Sequence, residues 1–124
     1  MIVAYSRQLH HALEAARQLA GHGIEATVID LRTLNPLDFD TIRERVNAIG
    51  RAIVVSEGAM TAGVAAELSA RIAEECFDYL EDPVVRVAGE DIPISVSTAL
   101  EAGSVPGPAL IAETALRMLE GRAA

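Results

Sequence analysis

Short apolar runs alternate with longer amphipathic stretches along the whole chain. Four runs rich in β-branched residues predict strands, because such side chains suit a pleated, buried surface. The runs are residues 2–5, 26–30, 52–56 and 84–88. They are nearly continuous in apolar character, which is typical of parallel strands covered on both faces.

The stretches between the strands repeat apolar residues at helical spacing, so each predicts a helix with one apolar face. In chain order the predicted faces are Leu9, Leu13, Ala16, Leu19 and Ala20; Phe39, Ile42, Val46 and Ile49; Val64, Leu68, Ile72 and Cys76; Leu110, Ile111, Ala115, Met118 and Leu119. Asp38 stands where a helix N-cap is expected. Residues 57–63 are interpreted as a loop, and residues 89–107, with three glycines and two prolines, as an irregular excursion.

Strands that alternate with helices predict an α/β fold in three layers, α/β/α, with a mostly parallel sheet of four strands. Residues 1–124 are expected to form a single domain, since the length suits one core. In such sheets ligands and partners meet the loops at the carboxyl ends of the strands. Those loops begin here at Ser6, Leu31, Glu57 and Gly89.

The charge of the chain narrows the classes of partner. The net charge is −8 and no lysine occurs, so nucleic acid and an anionic membrane surface are excluded as partners, and a basic protein is favoured. No apolar run approaches the ~20 residues needed to span a bilayer. The single cysteine, Cys76, excludes an intrachain disulfide and suits a reducing cytoplasm.

None of the reactive residue types forms a catalytic pattern. His10 and His11 are adjacent on a predicted helix and point about 100° apart, so they cannot hold one metal from the same face. Cys76 lies on an apolar stripe and is interpreted as a buried structural thiol. Paired-cysteine zinc spacing, a P-loop and a Gly-x-Ser-x-Gly elbow are all missing from the sequence.

Two features keep alternative interpretations open. The loop from Glu57 to Gly63 lies before a helix N-terminus, which could hold an anion, but its own carboxylate favours a structural cap or a protein interface. Arg86 interrupts the fourth strand, and a buried arginine needs a partner. Either Asp91 or Glu90 supplies that partner, or the strand lies at an edge of the sheet and Arg86 is solvated.

Two segments carry a resemblance to a known family. "GIEATVIDLRTLNPLDFDTI" resembles the strand–turn–helix signature of transketolase C-terminal domains. "PVVRVAGEDIP" resembles the β-subunit of the decarboxylating component of 2-oxo acid dehydrogenases of the pyruvate, branched-chain and acetoin types. The similarity runs from about residue 2 to residue 119.

The resemblance implies that the parent enzyme uses thiamine diphosphate and magnesium, with no cofactor-binding or catalytic residue in this chain. In the family the activating glutamate lies on an N-terminal pyrimidine-binding domain and the Gly-Asp-Gly motif on an α-subunit, and neither motif occurs here. The family's fifth, antiparallel edge strand is also missing from the sequence. Ala62-Gly63 replaces a double glycine, and Ile94-Ser95 departs from the family pattern after "DIP".

The resemblance also implies a role in assembly, with oxidative decarboxylation and acyl transfer to lipoamide performed by the whole enzyme. The expected partners are the α-subunit, the pyrimidine-binding domain, a further copy of the chain, and the basic subunit-binding domain of the acyltransferase core. Glu81 occupies the family position for an acidic partner contact. The alternatives are a free-standing interaction module, a truncated remnant without catalysis, and a split transketolase-type subunit.

Overall fold

A computed structural model of the chain describes residues 1–93, 97, 101 and 103–121. The elements follow the predicted alternation of strands and helices. The strands are β1 (Ile2–Ala4), β2 (Val28–Asp30), β3 (Ile53–Ala59) and β4 (Val85–Gly89). The helices are α1 (Gln8–Gly21), α2 (Phe39–Ile49), α3 (Val64–Glu75) and α4 (Pro108–Leu119), and a 3₁₀ turn, Phe77–Tyr79, follows α3.

The four strands form one parallel sheet in the order β2-β1-β3-β4. Ile2 is in register with Val28 on one side and with Ile53 on the other, so β1 is hydrogen-bonded along both edges. The pairing of β3 with β4 aligns Val54 with Arg86. The predicted α/β architecture with a parallel four-stranded sheet is therefore confirmed.

Alternate side chains of the central strands enter two separate cores, one on each face of the sheet. Ile2, Ala4, Ile53 and Val55 pack with residues of α1 and α4. Val3 and Val54 pack on the opposite face with residues of α2 and α3. This division produces the three predicted layers, because strand side chains point alternately to the two faces.

The predicted apolar face of α1 is right at Leu19 and wrong at most of its other positions. Its buried residues are Gln8, Ala12, Ala15 and Leu19, whereas Leu13 is 41% exposed. Two alanines pack inward because α1 lies closely against α4, and small side chains allow two helices to approach. The predicted faces of α2 and α3 are confirmed by the burial of Ile42, Val46, Leu68 and Ile72.

The boundaries differ from the predictions mainly at β3. This strand continues through Glu57 to Ala59, where the sequence predicts a loop. Asp38 is the predicted N-cap, and its carboxylate accepts a hydrogen bond from the Thr41 amide at 3.2 Å. Within the interval 89–107, Glu101, Gly103 and Ser104 are helical rather than irregular. Residues 94 and 95, where the sequence departs from the family pattern, lie outside the described residues.

A cluster of charged and aromatic side chains joins α2 to α3. Arg43 donates to the Glu75 carboxylate at 2.5 Å, and Arg71 donates to the other oxygen of the same carboxylate at 2.7 Å. The Arg71 guanidinium also lies 4.0 Å from the centre of the Phe39 ring.

No helix among the described residues is long and apolar enough to cross a membrane.

Two leucines on α1 test the observed face of that helix. We expect Leu19→Ala, at a position that is 1% exposed, to lower the free energy of unfolding by about 2–5 kcal/mol through a lost apolar contact and a cavity. Leu13→Ala at the exposed position is the matched control and should cost less than about 1 kcal/mol. Urea unfolding followed by circular dichroism measures both. Equal losses would mean that the assignment of the α1 face is incorrect.

Candidate functional site

The carboxyl ends of β1 and β3 meet at the point where the sheet order reverses direction, the usual position of a site in an open parallel sheet. The Tyr5 hydroxyl and Ser56 Oγ lie 2.8 Å apart, and Ser56 Oγ also accepts the Gly58 amide at 3.1 Å. Ser56 is buried, with 1% of its surface exposed. These bonds tie the ends of the two strands together rather than leaving an activated hydroxyl.

Glu57 lies at the same edge and is paired with an arginine. Arg7 Nε is 3.5 Å from Glu57 Oε2, and Arg7 Nη2 donates to Glu101 Oε1 at 2.7 Å. The hydrogen bond and the charge of Glu101 raise the pKa of Arg7. The arginine thus links β3 to the helical residues near Glu101, which suits the structural role predicted for Glu57. Sequence reasoning missed Arg7, although its place just after β1 was a usable signal.

Gly63 is required by space rather than by an unusual backbone conformation. It is the residue before α3, with φ −83° and ψ 171°, which any residue adopts. A Cβ built at Gly63 would lie 2.3 Å from the Ala59 carbonyl oxygen, far inside contact distance. The close approach is possible because Ala62, the preceding residue, has a φ of +56° and turns the chain sharply.

Arg86 and Asp91 both hold the loop after β3, but they form no ion pair with each other among the described residues. Arg86 Nη1 donates to the Met60 carbonyl at 2.8 Å. Asp91 accepts the Thr61 amide at 2.8 Å and the Thr61 hydroxyl at 2.5 Å. The predicted ion pair of Arg86 with Asp91 or Glu90 is therefore not found. The alternative is right about the edge, since β4 ends the sheet, but Arg86 is half-buried and bonded to Met60 rather than solvated.

The hydrogen bonds that Asp91 accepts also set its ionisation. The Thr61 hydroxyl, and then the Thr61 amide, hold the pKa of the Asp91 carboxyl below its usual value, with a smaller contribution from the positive charge of Arg86. Asp91 accepts both hydrogen bonds, one at each carboxyl oxygen, so the ionised carboxylate of Asp91 fits the loop better than the protonated acid does. Asp91 is thereby assigned a structural role in this loop.

Glu81 lies near the amino ends of the strands, and Glu57 lies toward their carboxyl ends, at the other end of the sheet. Its side chain is 58% exposed, and Glu81 Oε2 is 2.9 Å from Arg51 Nη2. Arg51 Nε donates to Asp82 Oδ2 at 2.6 Å, and this bond is the main cause of the raised pKa of Arg51. One arginine therefore faces two carboxylates, which leaves excess negative charge at this surface.

The Glu81 backbone is fixed by a glycine turn. The Glu81 amide donates to the Gly50 carbonyl at 2.8 Å. Gly50 has a φ of +76°, and an added Cβ would lie 2.8 Å from Glu81 Cγ. Both facts favour glycine at position 50, because other residues rarely adopt this conformation. The position of Glu81 is thus set by the fold.

A groove of about 750 Å³ runs beside Glu81. It is bounded by Ser69, Ala73, Phe77, Asp78, Leu80, Glu81, Asp82, Pro83 and Val84. Phe77 is 76% exposed, and the nearby Tyr79 is 56% exposed. We call this surface, residues 77–84 with Ser69 and Ala73, the acidic groove. An apolar floor with a carboxylate rim is suited to binding a basic protein surface.

The described residues do not assemble a reactive centre. No group of three or more His, Cys, Asp or Glu side chains among them is placed to hold a metal ion. Cys76 is fully buried, and burial raises the pKa of its thiol, which disfavours the nucleophilic thiolate. His11 Nδ1 lies 2.9 Å from the Pro106 carbonyl and 3.2 Å from Gln8 Oε1, so its ring is engaged in local structure.

Comparisons with known proteins agree with this architecture. The family described as "Transketolase, C-terminal domain" matches residues 1–111. The chain belongs to this family. The resemblance read from the two sequence segments is thereby confirmed.

Curated proteins that resemble the chain are named as β-subunits. It is 41% identical over 120 residues to acetoin:2,6-dichlorophenolindophenol oxidoreductase subunit beta of Cupriavidus necator, covering 97% of this chain and 36% of that subunit. It is 44% identical over 119 residues to pyruvate dehydrogenase E1 component subunit beta of Bacillus subtilis, covering 96% and 36%. The chain thus spans about a third of the length of the curated relatives it matches.

A solved structure has the same fold. The match covers 96% of this chain and 38% of the other, with a TM-score of 0.78 and 27% identity. That structure is titled "Split gene transketolase, inactive beta4 tetramer".

The contact at Gly63 gives a test of the loop before α3. We expect Gly63→Ala to lower the free energy of unfolding by about 1–3 kcal/mol, because the new methyl group would overlap the Ala59 carbonyl. Gly21→Ala is the matched control, since nothing lies within 4 Å of a Cβ there, and it should be neutral or stabilising. Chemical denaturation of both variants compares them. A harmless Gly63→Ala would show that this loop relaxes freely.

Proposed function

We propose that this chain is the C-terminal, partner-binding part of a β-subunit of a thiamine-diphosphate-dependent 2-oxo acid dehydrogenase. The observation that carries the proposal is the 41–44% identity to named β-subunits over 96–97% of the chain. The parent enzyme would perform oxidative decarboxylation of a 2-oxo acid and transfer the acyl group to lipoamide. The role of this chain would be assembly and docking, without chemistry of its own.

The described residues do not fit thiamine diphosphate with magnesium. A bound diphosphate needs cationic or backbone donors, and its metal needs oxygen ligands that are not already committed. At the carboxyl edge Arg7 is engaged by Glu57 and Glu101, Arg32 is paired with Asp30, Arg86 donates to the Met60 carbonyl, and Asp91 is held by Thr61. No catalytic step is therefore assigned to these residues. The cofactor would belong to the parent enzyme's other domains.

The acidic groove is the surface that we assign to the acyltransferase core. A basic subunit-binding domain would meet Glu81, Asp82 and Asp78 at the rim and would cover the exposed ring of Phe77. The rim charges would mainly accelerate encounter, and the apolar floor would supply the contact area. Arg51 limits the attraction, since it already pairs with two of these carboxylates.

Association with the α-subunit, with the pyrimidine-binding domain and with further copies of the chain completes the proposal. An edge strand with free backbone groups favours pairing with another chain, and β2, whose three residues are all half-buried, is one edge of the sheet. The similar solved structure is described as "Split gene transketolase, inactive beta4 tetramer", and this description supports a second candidate, a split transketolase-type subunit. Both candidates make the chain an assembly domain, but only the first requires the acidic groove to bind an acyltransferase.

The charge at Glu81 provides the test of the proposal. We expect Glu81→Arg to slow the association of this chain with a recombinant subunit-binding domain, because it reverses a rim charge and leaves Arg51 beside a second cation. The loss should be roughly two- to ten-fold in on-rate at low salt and should shrink as salt is raised. Surface plasmon resonance at several ionic strengths measures it.

Glu25→Arg makes the same charge change at an exposed site before β2 and should leave the on-rate nearly unchanged. Circular dichroism should show that both variants keep their helix content. Equal on-rates for the two variants would contradict the assignment of Glu81. If the unmodified chain also failed to bind, the split-subunit candidate would be favoured.

A further inference from the structure

Within the part of the chain that the structure describes, the outer edge of β4 carries backbone groups without a hydrogen-bond partner. The Val85 amide donates to the Ala52 carbonyl, on the side of β3. Backbone N–H and C=O groups of successive strand residues point to opposite edges, so those of Arg86 and Ala88 point away from β3. No backbone partner is found for these groups within residues 1–93, 97, 101 and 103–121. One added strand could form hydrogen bonds with all four of them.

A groove of about 210 Å³ follows this edge. Four consecutive strand residues, 85–88, form one wall. Leu110, Thr114 and Arg117 form another, and they lie one above the other on a single face of α4. Met60 closes one end, and Leu110 is 44% exposed. The groove therefore offers apolar contacts beside the unpaired backbone.

Two arginines flank the groove from opposite faces of the sheet. Val84 and Ala88 pack toward α2 and α3. Arg86 lies two residues from each of them along the strand, so its side chain points to the same face of the sheet. Arg117 belongs to α4, which covers the other face. Successive residues of an added strand also point to opposite faces, so two adjacent acidic residues would reach one arginine each.

Neither arginine is fully neutralised by its own surroundings. Arg86 donates to the Met60 carbonyl, which carries no formal charge, and Asp91 acts on it only through space. Arg117 Nε is buried without a hydrogen bond, and its carboxylate neighbour Glu113 is 3.8 Å away and 65% exposed. In a chain with a net charge of −8, this groove is a locally positive place.

We propose that the outer edge of β4 binds an extended, acidic segment of another polypeptide as a fifth strand. Charge complementarity selects this occupant over a second copy of the chain. Pairing β4 with its own copy would bring four guanidinium groups, two copies of Arg86 and two of Arg117, into one seam without added carboxylates. Backbone bonds supply part of the affinity, and side-chain charge supplies the preference.

The test uses the intact chain and the peptide acetyl-Thr-Val-Glu-Glu-Val-Thr-amide, titrated by ¹⁵N–¹H NMR. We expect saturable shifts of the Arg86, Ala88 and Thr114 amides. The matched peptide with two glutamines should bind more weakly. Arg86→Gln and Arg117→Gln should each weaken binding of the glutamate peptide roughly two- to five-fold, the range for exposed ion pairs. Arg32→Gln, which changes an 85% exposed arginine near the other edge of the sheet, should have no effect.

N-methylation of the peptide separates strand pairing from simple charge attraction. Methylating the amides that face β4 should abolish binding, whereas methylating the alternate amides should leave it intact. The proposal is overturned if the shifts map elsewhere, if the glutamine peptide binds equally well, or if the position of the methyl groups is immaterial. The proposal is also overturned if sedimentation shows that the chain self-associates and that Arg86→Gln abolishes this self-association, since β4 would then pair with its own copy.

Discussion

The pairing of β1 with its two neighbours is the constraint on which the rest of the structure depends. β1 has only three residues, and each of them is at most 1% exposed. Buried backbone groups are costly unless they are hydrogen-bonded, so β2 and β3 must both be in place. The two cores on either face of the sheet then require α1 and α4 on one side and α2 and α3 on the other.

This arrangement places the candidate surfaces at the ends and edges of the sheet, where the chain leaves the core. At the carboxyl ends of the strands, the polar side chains contact one another, as Arg7 does with Glu57 and Thr61 with Asp91. Among the described residues, the acidic groove retains exposed apolar groups and an excess of carboxylates, and the outer edge of β4 retains backbone groups without a hydrogen-bond partner. The two surfaces carry opposite charge, and the two proposals, a basic partner at one and an acidic partner at the other, rest on that difference.

Much of the fold could be predicted from the sequence, because strand and helix order is a matter of local periodicity. The apolar runs located all four strands, and the spacing of Phe39, Ile42 and Val46 located the buried face of α2. The spacing of the most hydrophobic residues did not predict the buried face of α1. Ala12 and Ala15 lie on that face because α4 approaches α1 closely there and leaves room only for small side chains. Gln8, polar yet fully buried, gave no apolar signal at all.

The candidate surfaces were less predictable than the fold. Glu81 came from the family resemblance, but its pairing with Arg51 joins residues 30 positions apart and depends on the topology of the sheet. The sequence left the surroundings of Arg86 open, because its bond to the Met60 carbonyl joins residues 26 positions apart and depends on the path of the loop after β3. Phe77 could have been found, since it is a large aromatic residue that lies just beyond the apolar stripe ending at Cys76.

The central claim is that the acidic groove is where this domain meets the acyltransferase core. Hydrogen–deuterium exchange of the intact chain, with and without a recombinant subunit-binding domain, tests it most directly. The account predicts slower exchange in residues 77–84 and unchanged exchange at the carboxyl edge around Ser56 and Glu57. Protection confined to the carboxyl edge or to β2, with residues 77–84 unaffected, would contradict it.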